Sequence, residues 1–264
     1  MTQRFLLMSS SRKDALGYLE HATDQIHALL RHEPRKIVFV PYAGVSFSFD
    51  TYEGMVKPVF EKLGYALESL HHSTDPRKTI ENADAIAVGG GNTFALLKRM
   101  YDANIVDVIR ARVHAGVPYV GWSAGSNVAC PTIRTTNDMP IVHPPTLCAL
   151  GLVPFQINPH FISGKPVGYN GESREERLAE FLDINTPEQV FALPEGSALL
   201  SDGTTGTVLG ERGALHFIDK STVRTFADNE TFQLTSIIGP AHIDRWPASG
   251  TEDKVLFKKQ IHIG

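Results

Sequence analysis

The sequence has few cysteines, and this scarcity excludes several classes of protein. Only two, Cys130 and Cys148, occur in 264 residues, so we do not expect a disulfide framework to hold the fold together. Neither cysteine lies in a C-x-x-C pair or in a Cys/His cluster, which argues against thiol redox chemistry and structural zinc. We therefore predict no metal site and no cofactor.

The sequence also lacks an excess of positive charge and any long apolar run. It has 25 Lys and Arg against 29 Asp and Glu, a net charge of −4, so neither nucleic acid nor an anionic membrane is an expected partner. No apolar stretch is long enough to cross a bilayer. The apolar run before Ser9 is too short for the core of a signal peptide. We therefore expect a cytoplasmic protein.

What the sequence does contain is a regular alternation of short apolar runs and amphipathic stretches. The runs predict strands at residues 4–9, 36–41, 65–70, 84–88 and 118–120, and apolar residues at helical spacing predict helices within 14–32, 50–63, 93–100 and 104–115. This order is typical of an α/β fold with a mostly parallel, twisted sheet and helices on both faces. The short runs after residue 185 predict a β-rich C-terminal part at one edge of the same sheet. We expect residues 1–264 to form a single domain.

One candidate nucleophile follows a predicted strand directly. Ser123 is the centre of a Gly-x-Ser-x-Gly motif at residues 121–125. A sharp turn from strand to helix exposes such a serine at the sheet edge, and the amides at the start of the helix point to where an oxyanion would develop. The motif also has a structural interpretation, in which the glycines form a tight turn and Ser123 caps a helix.

A serine nucleophile needs a base, and the base needs an orienting group. His160 closes an apolar run that ends in a turn, and Glu195 follows the predicted strand at residues 190–193. Both would lie just past strand ends, where the sites of open α/β sheets collect. The order Ser, His, Glu differs from the Ser, Asp/Glu, His order of α/β-hydrolases. Taken singly, His160 fits a turn histidine better and Glu195 fits a solvated loop carboxylate better, and it is their shared placement that favours a catalytic role.

Five collinear motifs carry a resemblance to a known family. They are residues 89–94 (GGGNTF), 121–125 (GWSAG), 133–140 (IRTTNDMP), 157–160 (INPH) and 172–177 (ESREER). The chain resembles, over about residues 4–235, the serine peptidase family that contains peptidase E, an α-aspartyl dipeptidase, and cyanophycinase. The resemblance implies a sheet similar to that of class I glutamine amidotransferases, and it implies a Ser-His-Glu triad.

The resemblance implies roles for individual residues. By motif position, Ser123, His160 and Glu195 correspond to the triad, with Glu195 assigned from its Pro-Glu-Gly-Ser context. The oxyanion hole would use the backbone amides of Gly91 and Ala124. The implied activity is hydrolysis of dipeptides with aspartate at the N-terminus, so the expected partner is a small peptide substrate.

Selecting an aspartate side chain requires a cation, preferably an arginine fork. The residue at the family's matching position is Arg174, although a surface arginine on a charged helix start would look the same in sequence. Asn92 and Asp138 are further candidate substrate contacts, and Asp138 would meet the free amine of the substrate. Arg134 and Lys165 are weaker candidates for the cation.

Two alternatives remain open at the level of sequence. A cyanophycinase-like or other acidic-peptide hydrolase would use the same triad with a different pocket, and a non-enzymatic ligand-binding member would keep Ser123 as a structural turn. From about residue 236 to Gly264 the chain extends beyond the expected end of the family. This extension would cover a dimer contact, complete an edge strand or lie over the site, and a homodimer is therefore one expected assembly.

Overall fold

Five parallel strands form the centre of the computed structural model, which describes residues 3–31 and 36–237. They are β1 (Phe5–Met8), β2 (Lys36–Val40), β3 (Ala66–Ser69), β4 (Ala85–Val88) and β5 (Tyr119–Trp122). Their spatial order is β1-β5-β4-β2-β3, and all four pairings are parallel. The predicted mostly parallel sheet is therefore confirmed.

Both faces of this sheet are buried, because successive side chains of each strand point to opposite sides. In β1, Phe5 and Leu7 belong to one apolar core, and Leu6 and Met8 belong to the other. The helices cover the two faces, as predicted. They are α1 (Thr23–Leu29), α2 (Phe49–Lys62), α3 (Pro76–Glu81), α4 (Thr93–Asp102), α5 (Val106–His114), α6 (Ala124–Ala129) and α7 (Arg174–Ile184).

The β-rich C-terminal part divides between two sheets. Its strands, with one earlier strand, are β6 (Gln156–Asn158), β7 (Val190–Ala192), β8 (Ala198–Ser201), β9 (Thr205–Leu209), β10 (Ala214–Phe217), β11 (Val223–Phe226) and β12 (Thr231–Gln233). As predicted, β8, β9 and β12 extend the main sheet as antiparallel strands beyond β1. The prediction is wrong for β7, β10 and β11, which form a second sheet of order β11-β10-β7-β6.

Aromatic packing explains why the second sheet separates from the first. Phe191 of β7 packs against Phe155 and Phe226, with ring centroids 4.7 and 5.9 Å apart, and stacks on Phe232 of the main sheet at 5.1 Å. Burying these rings between the sheets removes more apolar surface from water than a single extended edge would. Phe191 and Phe226 belong to the same core as Phe5 of β1.

The helix predicted within residues 14–32 is shorter than its apolar spacing indicated. A 3₁₀ turn at Glu20–Ala22 leads into α1, which ends at Leu29. Asp14, Leu19 and Arg31 have φ values of 50°, 55° and 58°, which are incompatible with a right-handed helix at those positions. Leu19 is nevertheless fully buried. Part of the apolar spacing that predicted a helix therefore comes from buried residues of an irregular segment.

Two further predictions, on the C-terminal extension and on membrane-spanning segments, can be compared only with the residues that the structure describes. Of the predicted C-terminal extension, only residues 236 and 237 are described, and residues 238–264 lie outside. Within the described ranges, none of the helices is long and apolar enough to span a membrane.

Candidate active site

The Gly-x-Ser-x-Gly motif forms a sharp strand-to-helix turn. Strand β5 ends at Trp122 and α6 begins at Ala124, so Ser123 alone makes the turn, with φ 52° and ψ −113°. A residue with a side chain rarely adopts this conformation, and such strain concentrates at functional sites. Gly125 permits the tight approach of α6, because a Cβ at this position would overlap the Val88 carbonyl of β4.

The three residues of the predicted triad form one hydrogen-bonded array. His160 Nε2 lies 2.8 Å from Ser123 Oγ, and His160 Nδ1 lies 2.9 Å from Glu195 Oε1. Neutral imidazole with a proton on Nδ1 donates to the carboxylate and accepts from the serine hydroxyl. The structure therefore brings together three side chains that are separated by 37 and 35 positions in sequence.

The second sheet explains why His160 and Glu195 meet. Strands β6 and β7 pair in parallel, with Asn158 opposite Ala192, so their carboxyl ends lie side by side. His160 follows β6 by two residues and Glu195 follows β7 by three. The array thus joins the carboxyl end of β5 in the main sheet to the carboxyl ends of two strands in the second sheet.

Two serines directly after β1 hold this arrangement, and sequence reasoning missed both. The His160 N–H donates to Ser9 Oγ at 2.8 Å, and Ser9 Oγ donates to the Leu193 carbonyl at 2.8 Å. Ser10 Oγ accepts from the Gly196 N–H at 3.2 Å. Ser9 and Ser10 thus tie the histidine turn and the glutamate turn to the main sheet. The sequence feature that could have indicated their role is a pair of hydroxyl side chains immediately after a buried apolar strand.

The predicted oxyanion donors are the backbone amides of Gly91 and Ala124. In the described part of the chain, neither N–H has a hydrogen-bond partner, as expected for the first residue of a helix such as α6. Gly91 has φ +135°, and a Cβ there would overlap the Ala43 carbonyl. The neighbouring Gly90 lies against Ser123, because a Cβ on Gly90 would be 2.9 Å from the serine Cβ.

A cavity of about 550 Å³ opens beside the histidine turn. Its wall includes Asn158, two residues before His160, and Arg174, the first residue of α7. Arg174 is half-buried, and among the described residues it has no hydrogen-bond or ion-pair partner. Burial, with a smaller contribution from Arg177, lowers the pKa of the Arg174 guanidinium. A partly desolvated cation without an anion, at the positive end of a helix, favours an anionic ligand.

The other predicted substrate contacts are largely engaged in holding loops. Asn92 caps α4 by accepting from the Ala95 N–H at 2.9 Å, and it donates to the Met139 carbonyl at 2.9 Å. Asp138 lines the cavity, but its Oδ2 accepts from the N–H and the hydroxyl of Thr93 at 2.7 and 2.6 Å. Both residues therefore attach the loop at residues 138–139 to the start of α4.

The two weaker cation candidates have anionic partners. Arg134 forms an ion pair with Glu188, and Lys165 Nζ lies 2.8 Å from Glu176 Oε2. Each of these cations already has an anion beside it, whereas Arg174 has none among the described residues.

The fold and the Ser123–His160–Glu195 array together define a serine hydrolase built on a mostly parallel α/β sheet.

Comparison with known proteins names the family within this class. Residues 5–209 match the model of Peptidase family S51. Peptidase E of Actinobacillus pleuropneumoniae serotype 5b (strain L20) is 52% identical over 231 residues, covering 87% of this chain and 99% of the relative. Peptidase E of Haemophilus influenzae (strain ATCC 51907 / DSM 11121 / KW20 / Rd) is 53% identical over 211 residues, covering 80% of this chain and 97% of the relative.

A solved structure supports the same fold. The crystal structure of a peptidase from an acI-B1 Actinobacterium covers 88% of this chain and 97% of its own, with a TM-score of 0.66 and 16% identity. The chain belongs to Peptidase family S51 and is a peptidase.

Proposed function

We propose that this enzyme is an exopeptidase that hydrolyses dipeptides with an N-terminal aspartate through an acyl-enzyme on Ser123. The observation that carries the proposal is the guanidinium of Arg174, which has no partner among the described residues and lies on the wall of the cavity beside the His160 turn. The curated relatives at about half identity are named peptidase E, and the sequence motifs resemble an α-aspartyl dipeptidase.

The first half of the reaction forms the acyl-enzyme. His160 Nε2 accepts the Ser123 proton as the hydroxyl oxygen attacks the α-carbonyl carbon of the N-terminal aspartate. Glu195 accepts the Nδ1–H hydrogen bond, which fixes the tautomer and stabilises the imidazolium that forms. The N–H groups of Gly91 and Ala124 donate to the oxyanion of the tetrahedral intermediate. The imidazolium then protonates the leaving amine as the peptide bond breaks.

The second half regenerates the enzyme. Water gives a proton to His160 Nε2 as its oxygen attacks the ester carbonyl carbon of the aspartyl-serine. The same two amides stabilise the second oxyanion. The proton returns from His160 to Ser123 Oγ as the ester bond breaks, which releases free aspartate.

Specificity follows from charge in the cavity. Arg174 offers a planar fork that pairs with a carboxylate through two parallel hydrogen bonds. The aspartate side chain would supply the anion that Arg174 lacks, and the positive end of α7 adds to the attraction. A neutral side chain would leave the half-buried guanidinium without a partner, which costs about 1–3 kcal/mol or more.

A panel of dipeptides tests the proposed specificity. We expect turnover of Asp-Leu and much slower turnover of Glu-Leu, β-Asp-Leu and Leu-Leu. Equal rates on Leu-Leu would contradict acidic specificity, and faster turnover of the β-aspartyl peptide would favour a cyanophycinase-like enzyme. A serine-directed fluorophosphonate should label the wild type and leave Ser123→Ala unlabelled.

Arg174→Ala tests the cation separately from the triad. We expect kcat/KM for Asp-Leu to fall by about 100-fold, since a charge-assisted pair contributes about 3 kcal/mol at most. Fluorophosphonate labelling of Ser123 and the thermal midpoint should stay close to those of the wild type. Arg177→Ala removes the neighbouring arginine of the cavity wall, which donates to the Tyr169 hydroxyl at 3.2 Å, and this comparison variant should lose much less activity than Arg174→Ala. Unchanged kinetics of Arg174→Ala on Asp-Leu would remove this residue from the substrate pocket.

The cellular setting belongs to the same proposal. Cys130 and Cys148 are both free thiols, which fits a reducing compartment and supports the cytoplasm as the location. The substrate would then be a small peptide released by other peptidases.

A further inference from the structure

Two histidines and two carboxylates converge at the outer edge of the main sheet, two strands beyond β4. Asp50 and Glu53 lie one turn apart at the start of α2, and His71 and His72 lie in the 3₁₀ turn that follows β3. We call these four residues the α2–β3 cluster. One ligand atom from each of them lies within 4.8 Å of all the others. The catalytic array uses none of these side chains.

The distances within the cluster lie on either side of the spacing that a metal ion requires. His71 Nε2 lies 3.1 Å from Asp50 Oδ1, and His72 Nε2 lies 3.7 Å from the same oxygen and 2.7 Å from Glu53 Oε2. A tetrahedral ion with bonds of about 2.0–2.2 Å holds its ligand atoms about 3.3–3.6 Å apart. Shifts of less than about 1 Å would convert these hydrogen bonds into four metal–ligand bonds.

Residues outside the cluster orient its ligand atoms. His71 Nδ1 lies 2.7 Å from the hydroxyl of Ser69, which is 1% exposed, and an outer hydrogen bond of this kind directs Nε2 toward a metal. The ring centroids of His71 and His72 lie 3.8 Å apart. The Nε2 atoms of both rings face Asp50 Oδ1. Lys57 Nζ lies 3.4 Å from Glu53 Oε1, which leaves Oε2 facing His72.

We propose that the α2–β3 cluster binds one divalent first-row transition metal ion, and that zinc suits it best. Two imidazoles and two carboxylates are ligands that zinc accepts in tetrahedral sites. The two carboxylates also balance the charge of a divalent ion.

Such an ion would stabilise the segment that supports the oxyanion loop. It would join the start of α2 to the end of β3, and the residues just before α2 contact the loop that contains Gly91. The Asn92 N–H donates to the Ala43 carbonyl at 3.0 Å, and Phe49 of α2 packs against both Tyr42 and His71, at 5.7 and 5.6 Å. We therefore expect bound metal to raise thermal stability without entering the reaction.

Cobalt is the probe of choice, because tetrahedral Co²⁺ absorbs visible light strongly and takes the same ligands as zinc. The full chain, purified without a histidine tag and treated with a chelator, is titrated with Co²⁺. We expect one equivalent to bind with an intense visible band, and Zn²⁺ to displace it. Absence of saturable binding, or a weak six-coordinate spectrum, would overturn the proposed site.

Variants locate the ion. His72→Ala changes a side chain that is 56% exposed, so folding should persist while cobalt affinity falls by about 100-fold or more. Ser69→Ala should lower affinity by about 10- to 100-fold through loss of the outer hydrogen bond. His143→Ala, at an exposed histidine outside the cluster, is the matched control and should bind as the wild type does.

His160 and Glu195 are a competing location that must be tested directly. We expect His160→Ala to show the wild-type cobalt spectrum and affinity, and we expect Zn²⁺ to raise the thermal midpoint of His160→Ala but not of His72→Ala. Loss of the spectrum in His160→Ala, or its retention in His72→Ala, would refute binding at the α2–β3 cluster.

Discussion

Gly91 shows how one residue of the site depends on its backbone conformation. Its φ of +135° and the Ala43 carbonyl against its Cα exclude a side chain. Alanine keeps the N–H, but its Cβ would overlap the Ala43 carbonyl and displace the amide. For the proposed oxyanion role, we therefore expect Gly91→Ala to lower kcat on Asp-Leu by about 10²- to 10³-fold, the usual effect of losing one donor. Steady-state kinetics check this, and KM should change little.

Strain alone must be separated from the loss of a donor. Gly116→Ala is the matched control, because Gly116 has φ +100° and open space where a Cβ would stand, and it precedes β5 whereas Ser123 follows this strand. It should lose stability while keeping kcat. Equal kcat losses in both variants would show that Gly91 acts only through folding.

The Glu195 carboxylate is well solvated, since its side chain is 52% exposed. Conversion of a buried triad aspartate to its amide costs about 10⁴-fold in kcat. Water can solvate the imidazolium here, so we expect Glu195→Gln to lose only about 10²- to 10³-fold. Rapid-quench measurement of acylation checks this, with Glu211→Gln as an exposed control. A loss below tenfold would remove Glu195 from the array.

The residues that could be predicted from the sequence are those that belong to recognisable motifs. Ser123, His160 and Glu195 follow strand ends, and the structure joins them in one hydrogen-bonded array. Ser9 and the α2–β3 cluster were not predicted, because their importance arises from contacts between distant segments. Ser9 contacts His160 across 151 positions, and no pattern within either segment encodes that distance.

At the scale of elements, the loop at residues 161–169 is held over the cavity by α7. Glu175 Oε1 accepts from the Ser163 hydroxyl at 2.6 Å and from the Gly164 N–H at 2.9 Å. Glu175→Gln removes the charge from both bonds, so we expect KM for Asp-Leu to rise by about tenfold with kcat nearly unchanged. Kinetics with Glu180→Gln, an exposed position of the same helix, provide the comparison. A fall in kcat without a change in KM would contradict a role in holding the loop.

Helices and strands were predictable where the periodicity of apolar residues matches the faces that are buried in the fold. The parallel strands and α2, α4 and α5 lie close to their predicted bounds, because each of these helices buries one apolar face and the central strands are buried on both faces. The strands after residue 185 have the right type but divide between two sheets. Strand propensity is local, whereas the choice of sheet depends on which aromatic faces meet, here Phe191 and Phe232.

At the scale of the whole molecule, one apolar core includes residues of both sheets. The Ser123–His160–Glu195 array also connects the sheets, since Ser123 follows a strand of one and His160 follows a strand of the other. The single-domain organisation stays a prediction, and the shared core leads us to expect that both sheets unfold in one transition. A probe of the second sheet would then report on the stability of the whole chain.

His216 is that probe. It lies in β10, stacks on Phe191 at 4.2 Å and has Nε2 2.8 Å from Gln189 Oε1. Burial, with a smaller contribution from Arg224, lowers the pKa of His216 from 6.5 to about 4. Between these two values the unfolded chain binds a proton that the folded chain does not. The free energy of unfolding therefore falls as the pH drops from 6.5 toward 4, by up to about 3 kcal/mol.

His216→Gln removes this proton uptake while its amide can still donate to Gln189. Urea unfolding at pH 7, 5.5 and 4 should show that the wild type loses about 3 kcal/mol more than the variant across this range. Carboxylates that titrate near pH 4 contribute equally to both proteins and cancel in the difference. His143→Gln, at an exposed histidine outside both sheets, is the matched control for the substitution itself. If both sheets unfold together, every spectroscopic probe will report the same pH dependence, and parallel curves for wild type and His216→Gln would contradict the depressed pKa.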